Sequence, residues 1–223
     1  MENSLKSEIR KSFFEKLNET LAGFGFKYKK SFEPRFVRKT DYGFDAIDFF
    51  PFIRYDFFKI EFQFSVRHDA ITSVVDKYRT PHQFRKNTKP DKDSITMCFS
   101  LKDVKEGVNW NEYIISEMND FEKLLVKVID DIKKFGFSFF EKYSDLKEVN
   151  NFYNGDPENP LLKRMWLVAR AYFALVLAKH LEDKELNTKI EHYRKLFETT
   201  NDSTIKTFKH IDCFEELVQN EMN

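Results

Sequence analysis

Three features of this 223-residue chain predict an α+β fold. Phe58, Ile60, Phe62, Phe64 and Val66 alternate strictly with Lys59, Glu61, Gln63, Ser65 and Arg67, a period of two that only a strand converts into one apolar and one polar face. Long stretches of helical periodicity flank this strand on both sides. A breaker, Asn154-Gly155-Asp156-Pro157-Glu158-Asn159-Pro160, then separates a purely helical remainder. Together these imply an antiparallel sheet of four to five strands packed by two long helices, with a C-terminal all-helical subdomain. The expected division is 1–143 for the sheet domain and 144–223 for the helical subdomain.

The elements follow in order. Ser4 is an expected N-cap, and Leu5, Ile9, Phe13, Leu17 and Leu21 recur every four residues until Gly23, placed to end the helix. Phe26-Lys27-Tyr28-Lys29 and Phe36-Val37-Arg38-Lys39 alternate aromatic and basic residues, as half-buried strands do, with turns at Glu33-Pro34 and Asp41-Tyr42-Gly43. Phe44 to Ile53 is apolar on both faces, and Pro51 requires an edge or a bulge there. Arg54-Tyr55-Asp56 turns the chain into the alternating strand. Residues 68–93 are polar and basic and read as a long loop, with a short helix around Ile71 to Tyr78; the role of its basic stretch 79–92 is not legible. Ile95, Met97, Phe99 and Leu101 form the last strand, and Gly107 breaks the chain. From Ile114 through Met118, Phe121, Leu125, Val128 and Ile132 to Phe135, apolar residues step by four and three, which predicts one continuous helix stopped by Gly136. Ser144-Asp145 caps a short helix. Asn159 and Pro160 occupy N-cap and N1 of a helix running from Leu161 to Leu181. Two amphipathic helices follow, on Leu186, Ile190, Tyr193 and Phe197, then Ile205, Phe208, Ile211 and Leu217.

Composition excludes several classes. Hydrophobic residues make up 41% and aromatic ones 17%, so the chain has ample apolar surface to bury and is not disordered. The 26 phenylalanines, with Lys and Asn also frequent, suit an A/T-rich bacterial coding sequence. By position, however, Phe58, Phe62, Phe64, Phe99, Phe121 and Phe135 fall on expected inward faces. The 37 basic and 37 acidic residues cancel, which argues against a dedicated nucleic-acid binder. The most apolar run, Met165 to Ala178, is interrupted by Arg170 and is shorter than the ~20 residues a spanning helix needs, so no membrane partner is expected. With no signal-peptide core at Met1 to Phe13, the expected location is cytoplasmic. Cys98 and Cys213 lie far apart without CxxC spacing and read as two reduced thiols.

Chemical motifs are scarce. No Gly-rich phosphate loop, HExxH or GxSxG is present, and no cofactor and no metal are expected. His68, His82, His180, His192 and His210 show no ligand spacing. Asp130 and Asp131 read as a solvated helix face, and Asp45 and Asp48 fall on opposite faces of a strand, so neither pair makes a carboxylate dyad. The basic and aromatic alternation from Phe26 to Lys39 could stack RNA bases, but its rings point inward in a half-buried hairpin.

The candidate binding site is therefore the polar face of the central strand, Lys59, Glu61, Gln63, Ser65 and Arg67 with His68 at its end, and with Thr96, Cys98 and Ser100 beside it. If helices cover only the apolar face, this row is exposed, mixed in charge and rigidly held, which suits a protein partner. The alternative is an enzyme or small-ligand protein with a cleft between sheet and helical subdomain, where Arg54, Arg67 or His68 converges with residues of the tail.

The segments Leu21-Ala22-Gly23-Phe24-Gly25-Phe26-Lys27-Tyr28-Lys29-Lys30 and Phe36-Val37-Arg38, followed by Phe135-Gly136-Phe137-Ser138-Phe139-Phe140 and Tyr143-Ser144-Asp145-Leu146, resemble a bacterial domain-of-unknown-function family. The resemblance covers residues 5–152. It implies a protein-binding, immunity-like role such as the neutralisation of a toxin, and it carries no catalytic residues with it.

Overall fold

The computed structural model describes residues 2–29, 33–53, 57–79, 93–115, 117, 120–156, 158–203, 205 and 210–222, with side chains from Glu8 onward. The fold is α+β, as the alternation and the helical periods predict, and its chain divides into two compact units. One comprises residues 1–67 and 97–143, the other 68–96 and 144–223. The expected boundary after Tyr143 coincides with a division of the chain. Residues 68–96, assigned from sequence to the sheet domain, instead group with the helices, because the helix they contain packs on the helical unit.

The first unit opens with α1, Glu2–Ala22, two residues ahead of Ser4. Phe13, Leu17 and Leu21 are fully buried. The helix ends before Gly23, but the left-handed residue that turns the chain is Gly25, at φ 83°. The sheet follows as β1 (Lys27–Lys29), β2 (Arg35–Lys39), β3 (Gly43–Ile53), β4 (Phe58–His68) and β5 (Met97–Ser100), hydrogen-bonded in that order. A sixth strand, β6 (Ile114–Ile115), pairs with the start of β4. The pairings whose register is described are antiparallel. Pro51 sits in β3 without disruption, since the described β2–β3 register ends at Arg35 opposite Asp48 and leaves the Pro51 stretch unpaired on that side.

After β5 the structure departs from the sequence pattern. Leu101 does not extend the strand but starts α3, Leu101–Val104, because Asp103 accepts hydrogen bonds from the Ser100 backbone at 2.9 Å and hydroxyl at 2.6 Å and caps a helix there. Ile114 belongs to β6 rather than to a helix. The helical segment begins at α4, Phe121–Asp131. Gly136 does not stop it: the chain widens into a π turn at Ile132–Gly136 and continues as α5, Phe137–Tyr143. The turn carries Gly136 inward, where a Cβ would meet the Phe64 ring at 2.6 Å, and leaves Phe135 only half-buried. The other five phenylalanines expected inside are buried. Rings from α1 and α5 reach the even-numbered side of β4, Phe13 against Phe58 and both Phe139 and Phe140 against Phe64.

The second unit contains α2 (Asp69–Arg79), α6 (Leu146–Asn154), α7 (Pro160–Arg164), α8 (Leu167–His180), α9 (Leu186–Thr199) and α10 (His210–Leu217). Asp145 and Asn159 cap α6 and α7 through their side-chain oxygens. The expected helix from Leu161 to Leu181 breaks at Met165 and Trp166, both of extended ψ, and resumes as α8. That helix is buried continuously from Ala171 to Ala178 and is the hub on which α2, α6, α9 and α10 pack. Residues 54–56, 80–92, Met118 and Phe208, all invoked from the sequence, lie outside the described residues.

Candidate functional site

Strand register builds the polar face. In β2 and β3 the turn at Asp41 to Gly43 sets Arg38 opposite Asp45 and, by the same register, Arg35 opposite Asp48. The two pairs are three residues apart, so they lie on opposite faces of the sheet. Phe36 and Ile47 face each other with the buried rings, which puts Arg35, Val37, Ala46 and Asp48 on the far side. In β4 and β5, Gln63 stands opposite Ser100 and Ser65 opposite Cys98 on that same side.

Asp48 is the centre of this face. Its carboxylate receives the Arg35 side chain, the Ser65 hydroxyl at 3.0 Å and the Gln63 amide at 3.4 Å. These partners compensate a carboxylate that is almost wholly buried. Farther along β4, Lys59 and Glu61 pair at 2.5 Å, and the Lys59 ammonium lies 5.7 Å from the centre of the Phe52 ring. Phe52, on the same face of β3 as Asp48, is exposed by 45%, a large apolar side chain beside a polar row.

Cys98 reaches the surface. Its sulfur is nevertheless crowded by protein, and this burial, with the carboxylates of Asp48 and Asp103, pushes the thiol up to about 11 against a weaker opposing pull from Arg35. At neutral pH it is a protonated thiol and a poor nucleophile.

The six residues singled out from the sequence are placed as follows. Lys59, Glu61, Gln63, Ser65 and Arg67 share one face, as alternation requires. None is exposed. Lys59, Glu61 and Gln63 are half-buried, while Ser65, Arg67 and His68 are buried. The expectation of an exposed row is thus corrected: Ser65 is too short to rise above its longer neighbours, and Arg67 and His68 at the end of the strand are buried. His68 closes β4, and its backbone N–H donates to the Thr96 hydroxyl at 2.7 Å. Thr96 in turn shares a 2.6 Å hydrogen bond with Thr72 and accepts at its carbonyl from Tyr153 at 2.7 Å. That network ties α2 and α6 together by its hydrogen bonds and is structural.

Sequence reasoning missed Arg35, Asp48 and Phe52. The signal was present in Arg35 and Arg38 mirrored by Asp45 and Asp48 across a recognisable turn, which in an antiparallel hairpin gives two cross-strand ion pairs. It also placed Asp131 in solvent. Asp131 is buried and accepts from the Tyr113 hydroxyl at 2.5 Å and from Lys105 at 2.9 Å. Burial and this carboxylate raise the Tyr113 phenol far above its ordinary range.

Among the described residues no three His, Cys, Asp or Glu side chains gather as metal ligands, and no helix is long and apolar enough to cross a membrane. Compared with family models, with curated proteins and with solved structures, the chain finds no match in any of the three.

Proposed function

We propose that this protein is a binding module whose polar sheet face receives an acidic surface of another protein. The observation that carries this reading is the make-up of that face. The strands present Lys27, Lys29, Arg35, Lys39 and Lys59 on it, against the carboxylates of Asp48 and Glu61, and the exposed Phe52 stands beside Lys59. The excess of basic side chains along this face complements an acidic surface, and the exposed Phe52 at its Lys59 end offers an apolar anchor. Strand pairing and the Asp48 hydrogen bonds hold the polar groups in place before any partner arrives, which lowers the ordering cost of association. The resemblance of residues 5–152 to immunity-like relatives supplies the finer reading, that the partner is a toxin neutralised by being bound; it rests on the quoted motifs alone.

The test compares the full chain with a Phe52→Ser/Lys59→Glu variant, both immobilised and exposed to extract of the native host. The expected result is an acidic protein retained by the wild type, lost with the variant and weakened by salt. Equal retention by both proteins overturns the reading. Retained material that disappears on ribonuclease treatment overturns it in favour of RNA. A second reading, a small-ligand protein, is favoured by a cavity within the helical unit.

A further inference from the structure

The second unit contains a cavity of about 250 Å³ where α6, α7, α8 and α9 converge. Its floor is apolar and aromatic: Tyr153, Leu162 and Tyr193 line it and are all buried. Arg170 of α8 enters from one side, with its guanidinium carbon 5.7 Å from the centre of the Tyr193 ring. The rim carries exposed polar side chains of α9, Thr188 and His192.

The charges around this cavity are not balanced in the same way. Lys189 is fully compensated, with Asp183 at 3.0 Å and Glu185 at 3.2 Å from its ammonium. Arg170 has no carboxylate partner among the described residues, and its buried Nε donates to nothing there. Arg170 is half-buried and hydrogen-bonds the Tyr193 side chain, which leaves its buried Nε without an acceptor, and the planar fork of a guanidinium matches a carboxylate. The aromatic floor cannot supply that partner. Burial raises the Tyr193 phenol above its ordinary value, so it stays a neutral hydroxyl beside Arg170.

We propose that this cavity binds a small monocarboxylate with an aromatic or compact apolar body. Arg170 takes the carboxylate, Tyr193 orders the guanidinium through its side-chain hydrogen bond and nearby ring, and Tyr153 and Leu162 receive the body. The volume falls below the ~300–1,000 Å³ of pockets for drug-sized ligands, which excludes nucleotides and other multi-ring ligands. The Lys189 pair with Asp183 and Glu185 places negative charge at one side of the mouth and disfavours dianions such as inorganic phosphate. This inference is independent of the sheet-face reading, since it uses only residues of the helical unit.

The experiment titrates the full chain with benzoate, benzamide, acetate and inorganic phosphate, reading heat of binding and the shift of the thermal midpoint. Benzoate is expected to bind and to raise the midpoint. Benzamide, which lacks the charge, and acetate, which lacks the body, are each expected to bind about tenfold more weakly or worse. Arg170→Gln should lose benzoate binding, and Arg170→Lys should retain a weakened fraction of it because the charge survives without the fork. Benzamide binding as well as benzoate overturns the proposal, as do phosphate matching benzoate, undiminished benzoate binding by Arg170→Gln, and the absence of benzoate binding by the wild type. The comparison of probes on the wild type decides the matter even where Arg170→Gln does not fold.

Discussion

The two faces of one sheet handle the same chemistry in different ways. On the helix-covered face Arg38 pairs with Asp45 through two hydrogen bonds of 2.7 and 3.0 Å, and Tyr42 adds a third at 2.5 Å. The guanidinium also lies within 6 Å of the Phe26, Phe137 and Phe140 ring centres. Asp45 has no exposed surface. Burial and this carboxylate raise the Tyr42 phenol far above its ordinary range, so it remains a donor. On the other face Arg35 meets Asp48, but the remaining partners are a serine and a glutamine of the next strand. Both arginines keep some side chain in solvent, Arg38 about a third and Arg35 about a fifth, so the faces differ at the carboxylate, fully enclosed at Asp45 and slightly exposed at Asp48. The residue types and the register are the same. What differs is the second layer, rings on one side and partly solvated polar groups on the other. An ion pair sealed by rings is committed to the fold, whereas one at an open face can also serve recognition.

The largest effect should therefore come from the sealed pair. Arg38→Met keeps the aliphatic stem against the rings and removes the cation from the Asp45 carboxylate, which retains the Tyr42 hydrogen bond. A loss of about 3 kcal/mol in denaturant unfolding is expected, because the buried carboxylate loses its cation and keeps the Tyr42 hydroxyl as a donor. The loss should shrink at low pH, where protonation removes the buried charge, and Arg38→Met/Asp45→Asn should recover part of it. If the single variant costs no more than an exposed ion pair, the distinction between the two faces collapses.

Next in size is Gly136→Ala, also on the sealed face. The added methyl would stand 2.6 Å from the Phe64 ring, and overpacking of this kind costs about 1–3 kcal/mol. Phe64→Leu in the same background should relieve part of it, which distinguishes steric conflict from an intrinsic helix effect, since alanine is the better helix former.

That position also marks the limit of what the sequence could reveal. The sheet was legible because alternation survives any environment, and β4 emerged as drawn. The aromatic positions were legible for the same reason, except Phe135, where a π turn shifts the helical phase and no composition signals it. Helix boundaries failed where a local contact overrode periodicity: Asp103 capping at Ser100, and the extended Met165 and Trp166 between α7 and α8. At the candidate site the polar row of β4 could be read from one strand, but its burial could not, because accessibility depends on neighbours. Asp48 needed the register of three strands before its partners were visible. The Arg170 cavity required four helices to converge and left no local motif at all.

On the open face the corresponding substitution should cost less. Arg35→Met leaves Asp48 with both the Ser65 and Gln63 donors, so a loss of about 1.5 kcal/mol is expected. Parallel unfolding of the Arg35 and Arg38 variants gives the comparison directly. Equal losses would mean that the Asp48 face is as closed as the other, and would remove the reason to look there for a partner.

The smallest effect is kinetic and concerns Cys98, opposite Ser65. Burial foremost, then Asp48 and Asp103, hold its thiol near 11, whereas an unhindered thiol titrates at about 8.5. The thiolate is the species that reacts, so alkylation of the folded protein should be slow at pH 8 and should still be climbing at pH 10, where a small thiol has levelled off. The linkage runs in the same sense. The unfolded chain gives up this proton first, so the folded state loses stability as pH rises from about 9 toward 11. Asp48→Asn removes one of the raising carboxylates and should move the alkylation profile to lower pH, while Arg35→Met removes the opposing cation and should move it higher. Opposite displacements by two residues that contact each other would show that Cys98 senses the charge of the Asp48 site. A profile unmoved by either variant would leave burial as the sole cause and detach the thiol from the polar face.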